Sequence, residues 1–170
     1  VRRMDERFWD DAHGGYFFTG AEHKNLIARN KPVVDGAEPS GNSVAALTLL
    51  RLARLRDNND YARRAEKLLR VNHVNLSSSP QAFMKMMVAV DFLLYPPKEI
   101  AIAGQPGAPD VRALLDVVHK TFVPSRVLAL VDPVSGDAER LEREIPLLQG
   151  KIAINGQAAA YVCRNFTCDA

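Results

Sequence analysis

The stretch VVDGAEPSGNSVAALTLLRLARL, Val33 to Leu55, sets two carboxylates, Asp35 and Glu38, in a Gly/Pro/Ser loop that runs straight into an almost wholly apolar helix. The spacing predicts helix from Asn42 or Ser43, with Ser40, Asn42 and Ser43 all able to cap it. Thr48, Arg51 and Arg54 share one narrow polar stripe, while Val44, Leu47, Leu49, Leu50, Leu52, Ala53 and Leu55 occupy the rest. A helix apolar over most of its circumference has to be enclosed by neighbours, so the fold is organised around this segment.

Those neighbours can be read outward from it. Downstream, Asp60 to Val71 carries Tyr61, Ala62, Ala65, Leu68 and Leu69 on one face and charge on the other, the pattern of a surface helix. SSSP then breaks the chain, with Ser79 as cap and Pro80 at the first helical position, before Phe83, Met86, Met87, Val90 and Leu94 form another apolar stripe. Upstream, the tail of a helix leads into FWDDAHGGYFFTG, where Gly14-Gly15 suggests a turn into a short strand, Tyr16 to Thr19. Composition changes at Tyr95-Pro96-Pro97. Beyond it, KEIAIAG, RVLALVD and AAAYVC read as strands, separated by helices from Pro109 and over Ala138 to Ile145.

The chain is therefore expected to be mainly α with an α/β appendix: helical hairpins over 1–95, then a small α/β unit over 96–170. Fully apolar strands alternating with helices predict a small parallel three-stranded βαβαβ sheet. An Asn155-Gly156 turn signal leaves open a hairpin between Lys151–Ile154 and Ala158–Cys163.

Bulk composition excludes several classes of function. The 22 basic and 20 acidic residues are interspersed, with no run of like charge to track a phosphate backbone, so nucleic acid is not an expected partner. Neither long apolar tract reaches the roughly 20 residues a bilayer needs, and VRRMDERFWDD lacks the core of a signal peptide. The expectation is no membrane, a cytoplasmic setting and free thiols.

Asp35 and Glu38 precede helical N–H groups whose partial positive charge favours carboxylate over carboxylic acid. Such acids suit a catalytic base or a hydroxyl-binding group, although Asp35-Gly36 and Glu38-Pro39 are also ordinary turn chemistry. A glycosidase uses two carboxylates about 5 to 10 Å apart, a spacing that two acids three residues apart can meet. Asp10 and Asp11 are further candidates. Cys163 and Cys168 form a C-x4-C spacing that matches neither a redox C-x-x-C nor a zinc module; they read as plain thiols, with a redox or metal-binding point as the alternative. His13, His23, His73 and His119 are too dispersed for a metal set, and GQPG, Gly104 to Gly107, lacks the pattern of a nucleotide loop. No cofactor is expected.

Four motifs, GGYFFT, DGAEPSGNSVAALTLLRLARL, PPKEIAIAG and AYVCRNFTC, together resemble the carboxy-terminal part of the spermatogenesis-associated protein 20-like family, in order and over essentially the whole chain. The resemblance implies a parent protein with an amino-terminal thioredoxin-like domain followed by an (α/α)6 barrel of the six-hairpin glycosidase type. Residues 1–95 would be the last hairpins of that barrel. Asp35 and Glu38 would lie at its pocket mouth as catalytic acids, with Ser40 and Asn42 contacting a carbohydrate-type ligand. Sugar processing, hydrolase- or epimerase-like, would belong to the complete parent; the alternative is a non-catalytic scaffold in a thioredoxin-linked redox or folding-related protein. Six hairpins need far more than about 95 residues, so the missing upstream barrel and thioredoxin-like domain become expected partners, and self-association is expected of the chain alone.

Overall fold

The computed structural model describes residues 1–23, 25–164 and 167–169, and side chains as far as Arg164. The chain separates into two compact units, Val1–Leu50 with Asn59–Leu94, and Arg51–Asn58 with Tyr95–Ala170.

The first unit is helical: α1 (Arg2–Phe8), the first part of α2 (Gly41–Arg56), α3 (Asn59–Val71), α4 (His73–Ser78), a 3-10 turn (Pro80–Phe83) and α5 (Met84–Leu94). Helix α3 packs on α4 and α5, and Ala46 and Leu49 of α2, Leu68 of α3, and Met86 and Phe92 of α5 are among the buried residues of the unit. Two local expectations change. Helix α4 forms where a break is expected, because Asn72 ends α3 by donating from Nδ2 to the Leu68 carbonyl at 2.8 Å while its own carbonyl accepts the Leu76 N–H. Burial of Leu76 then anchors the short helix. Tyr16–Thr19 forms no strand beyond a lone bridge between Trp9 and Tyr16. Its backbone groups find three separate partners instead: Phe17 N–H donates to Phe8, Phe18 N–H to Asn30, and Tyr16 N–H to the Asn42 side chain.

The second unit holds the last turns of α2, then β1 (Lys98–Ala103), α6 (Pro109–Lys120), β2 (Arg126–Val131), α7 (Ala138–Glu144), a 3-10 turn (Pro146–Leu148), β3 (Ala159–Arg164) and β4 (Thr167–Asp169). The sheet order is β2-β1-β3-β4. Strands β1 and β2 are parallel, as expected, but β3 runs antiparallel to β1, and β4 antiparallel to β3. The all-parallel βαβαβ unit is therefore corrected to a mixed sheet.

Length explains the difference. A six-residue strand spans roughly 20 Å, and twelve-residue α6 returns the chain over roughly 18 Å, enough to restart a strand in parallel. Seven-residue α7 covers only about 10 Å. The chain instead reverses at Asn155-Gly156, both at positive φ (51° and 75°), and β3 begins opposite Ala103 at the far end of β1. The Asn-Gly turn thus forms, with a single bridge from Ile154 to Gln157, and not as a hairpin of two strands.

Alternation along β1 divides its side chains between two clusters. Ile100 and Ile102 pack with Val111 of α6, while Ala101 and Ala103 pack with Ala129, Val131, Ala138 and Leu148. Gly104 ends β1 in a close approach: a Cβ there would sit 2.7 Å from both Ala158 Cβ and Val111 Cγ2. Gly104→Ala is therefore expected to lower stability by about 2 kcal/mol through overpacking, read as a shifted denaturant midpoint at unchanged slope.

Candidate functional site

The loop before α2 is organised by three side chains. Asp35 Oδ1 accepts the Ser40 N–H at 2.8 Å, and Oδ2 accepts the N–H groups of Lys85 at 2.8 Å and Met86 at 3.4 Å. One carboxylate thus serves the starts of both α2 and α5, where orphan N–H groups carry partial positive charge. Burial pushes the Asp35 carboxyl up, but these N–H donors outweigh it and hold it below the usual carboxylate range. Ser40 Oγ accepts the Ser43 N–H at 3.1 Å, lies 2.8 Å from Ser43 Oγ and donates to the Val33 carbonyl at 3.1 Å.

Asn42 is 2% exposed and uses its whole amide. Oδ1 accepts the Tyr16 N–H at 2.7 Å, and Nδ2 donates to the carbonyls of Tyr16 at 2.8 Å and Pro32 at 2.9 Å. It pairs with the aromatic segment as a strand would. Glu38 is exposed, and among the described residues it makes no side-chain hydrogen bond or ion pair. The structure thus gathers Asp35 and Ser40 into the capping of α2, uses Asn42 to bind the aromatic segment to that helix, and leaves Glu38 on the loop surface.

Around this loop lie Asp10, a further candidate from the sequence, and several groups that no sequence pattern marks. Lys31 Nζ donates to Asp10 Oδ2 at 2.7 Å and to the Gly14 carbonyl at 2.9 Å. The Lys31 ammonium, with the N–H groups of His13 and Ala12, holds the Asp10 carboxyl far below its ordinary value. Tyr16 stacks edge-to-face on Trp9, with ring centroids 4.9 Å apart, and donates its hydroxyl proton to Asp5 at 2.7 Å. Burial, then Asp5, push the Tyr16 phenol well above the usual range. Arg29 lies over the Phe17 ring at 4.0 Å.

Asn42 borders two hollows. One, of about 220 Å³, is lined by Phe8, Tyr16, Phe17, Phe18 and Pro32; the other, of about 230 Å³, by His13, Gly15, Lys31, Val33 and Asn72. Phe18 is 73% exposed at the rim of the first. The run FWDD-x2-GGYFF signalled these aromatics, but only the Asn42 contacts show why they gather at α2.

At the carboxy-terminal end, Cys163 is disulfide-bonded and stands in register opposite Cys168 of β4. Free thiols are thus corrected to a bonded Cys163. Directly opposed strand residues lie at the Cα separation a disulfide needs, about 4.4 to 6.8 Å. Among the described residues no group of three His, Cys, Asp or Glu side chains could hold a metal ion. No described helix is long and apolar enough to cross a membrane.

The depressed Asp35 pKa has a definite sign. The stabilisation it represents is present above the unfolded carboxyl value near 4 and is lost as pH falls through the lower folded value. Asp35→Asn keeps one acceptor and turns an amide donor toward helical N–H groups. It is expected to cost about 2 kcal/mol at pH 7 and to flatten the acid limb of the stability profile, measured by chemical denaturation from pH 2 to 7.

Comparison with protein-family profiles returns no match. Among curated proteins, the chain is 38% identical over 167 residues to human spermatogenesis-associated protein 20, covering 97% of this chain and 21% of that protein. The rat protein of the same name is 37% identical over the same shares, and an uncharacterized protein of Caenorhabditis elegans is 24% identical over 170 residues, 97% of this chain and 22% of its own length. The chain spans about a fifth of the length of these relatives. With 37–38% identity running through nearly all of its residues, it is homologous to a segment of spermatogenesis-associated protein 20.

Proposed function

We propose that this segment forms part of the wall of a binding site for a carbohydrate-type small molecule in a longer cytoplasmic protein, with Asp35, Ser40 and Asn42 holding the wall in place. The supporting observation is the pair of hollows that share Asn42, one aromatic and one polar. A sugar ring offers a C–H face that stacks on aromatic rings and hydroxyls that seek donors and acceptors, so adjoining apolar and polar hollows suit it. Glu38, exposed on the same loop and lining neither hollow, is the acid this reading leaves for such a ligand, and further acids would come from upstream helices of a barrel. In the full-length protein carrying this segment, saturable monosaccharide binding is expected by titration calorimetry, weakened five- to tenfold by Phe18→Ala at unchanged thermal stability. No binding of any neutral or acidic sugar by the intact protein would end this reading, as would unchanged affinity in the variant.

A second reading, a non-catalytic scaffold in a thioredoxin-linked protein, draws on one observation: both Asp35 oxygens are occupied by backbone donors. On either reading, the apolar hollow of about 420 Å³ edged by Leu69, Leu76, Met87, Val90, Leu93 and Leu94 is covered by helices of the longer protein. The isolated chain is then expected to associate, with light scattering giving a mass above the 18.8 kDa monomer. A sharp monomer that unfolds cooperatively would count against that cover.

A further inference from the structure

The sheet of the second unit has an open side at β2. This strand stands at one end of the order β2-β1-β3-β4, and among the described residues no strand pairs it on the side away from β1. An unpaired edge is a template for another chain, and proteins commonly blunt it with lysine, proline or a bulge. Strand β2 has none of these: its six residues are Arg-Val-Leu-Ala-Leu-Val, and its register against β1 runs without a skip.

Two hydrogen bonds fix which backbone groups face outward. The carbonyls of Ser125 and Val131 accept the N–H groups of Lys98 and Gly104, at 3.0 and 2.9 Å, so the odd-numbered residues turn toward β1. Backbone groups alternate sides along a strand, so those of Leu128 and Leu130 face away from it. The side chains divide as well. Val127, Ala129 and Val131 are buried, whereas Leu128 and Leu130 are half-buried at the margin of the cluster around Ile100, Ile102 and Val111.

Together with the residue that follows it, the strand reads RVLALVD, Arg126 to Asp132. Its five central residues are the same in both directions, and its two ends carry opposite charges. Rotating a second copy by half a turn about Ala129 sets Leu128 against Leu130, Val127 against Val131 and Arg126 against Asp132. Outward-facing residues then meet outward-facing residues, as an antiparallel ladder requires. An axis between two residues breaks that match, and an axis through Leu128 or Leu130 sets a leucine against a charge. Among the described residues neither Arg126 nor Asp132 forms an ion pair: Arg126 donates to the Val123 carbonyl at 2.7 Å, and Asp132 accepts the Val134 N–H at 3.2 Å. Phe122 and Val134, each 91% exposed, extend the apolar surface just past the two ends of the strand.

We propose that β2 is a docking edge for a second copy of this chain, paired antiparallel across a two-fold axis through Ala129. The backbone N–H and carbonyl of Leu128 bond to the carbonyl and N–H of Leu130 in the second copy, and the reverse pair does the same. The half-buried leucines cover one another on one face, and the two small Ala129 side chains meet on the other. An Arg126–Asp132 pair of opposite charge stands at each end, the arrangement that favours directly opposed strand residues. Neighbouring strands lie about 4.8 Å apart, so the two β1 strands stand about 14 Å apart. Helix α6, which packs over β1 and β3, is clear of the axis. The contact is isologous, so it closes at two copies.

The test follows the mass of the chain by sedimentation equilibrium over a concentration series. Wild type is expected to rise from the 18.8 kDa of one chain toward twice that mass. Arg126→Asp and Asp132→Arg each set like charges against one another at both ends, and each is expected to raise the dimer dissociation constant about tenfold. The double exchange is expected to return it to within about threefold of wild type. Under mild oxidant, Ala129→Cys, on the axis, is expected to cross-link to its own copy, and Val127→Cys, which faces Val131, is not. A monomer at every concentration would overturn the inference and leave the edge to a strand of another protein. So would association that both reversals leave unchanged, which marks contact through the apolar hollow of the first unit, or a loss that the double exchange does not repair. Should the charge variants not fold, the two cysteine variants decide: no cross-link at Ala129→Cys, or an equal one at Val127→Cys, overturns the two-fold register.

Discussion

One carboxylate sets the first unit. Asp35 bonds to the backbone at the starts of two helices, one beginning at Gly41 and the other at Met84, so its loop, α2 and α5 share a single polar anchor. Helix starts present N–H groups that the helix itself cannot satisfy, and an ionised acid answers both their hydrogen-bonding need and their charge. Asn42, the second residue of α2, extends the anchor to the aromatic segment, where a single amide replaces the cross-strand bonds that Tyr16 lacks. Gly14 and Gly15, at φ of 77° and 83°, then turn the chain where Lys31 can cap the bend.

Much of the helical order was legible because burial leaves a periodic trace. The apolar surface of α2, the one-sided face of α3 and the starts of α6 and α7 follow directly from residue spacing. The elements that escaped are those whose cause lies in contacts distant in sequence. HVNLSS carries no helical stripe, and only Asn72 bonding back to Leu68 and the buried Leu76 make it α4. Likewise GGYFFT has a turn signal and the aromatics of a strand but lacks a strand partner.

The sheet makes the same point through length. Apolar runs identify strands without stating their direction, and direction depends on how far the connecting helix returns the chain. Alternation of Ile and Ala along β1 does encode two unequal layers, the bulkier facing α6. Glu99, an acid near the head of that run, is buried despite its charge.

The acids of this chain therefore divide by what surrounds them. Asp35 looks like chemistry in the sequence, yet in the structure its oxygens are filled by backbone donors, and a carboxylate so engaged is a poor proton carrier because moving a proton onto it would break the bonds that hold two helices. Asp10, held by Lys31 and two backbone N–H groups, is engaged in the same way. Glu99 is the converse: it looks like an intrusion into a strand, yet it keeps both oxygens free of hydrogen bonds beside a half-buried arginine and a bonded cysteine. A buried acid that bonds to no backbone donor holds no helix start; its charge is answered by Arg54 instead, so it ties α2 to β1 through an ion pair where Asp35 ties helices through hydrogen bonds.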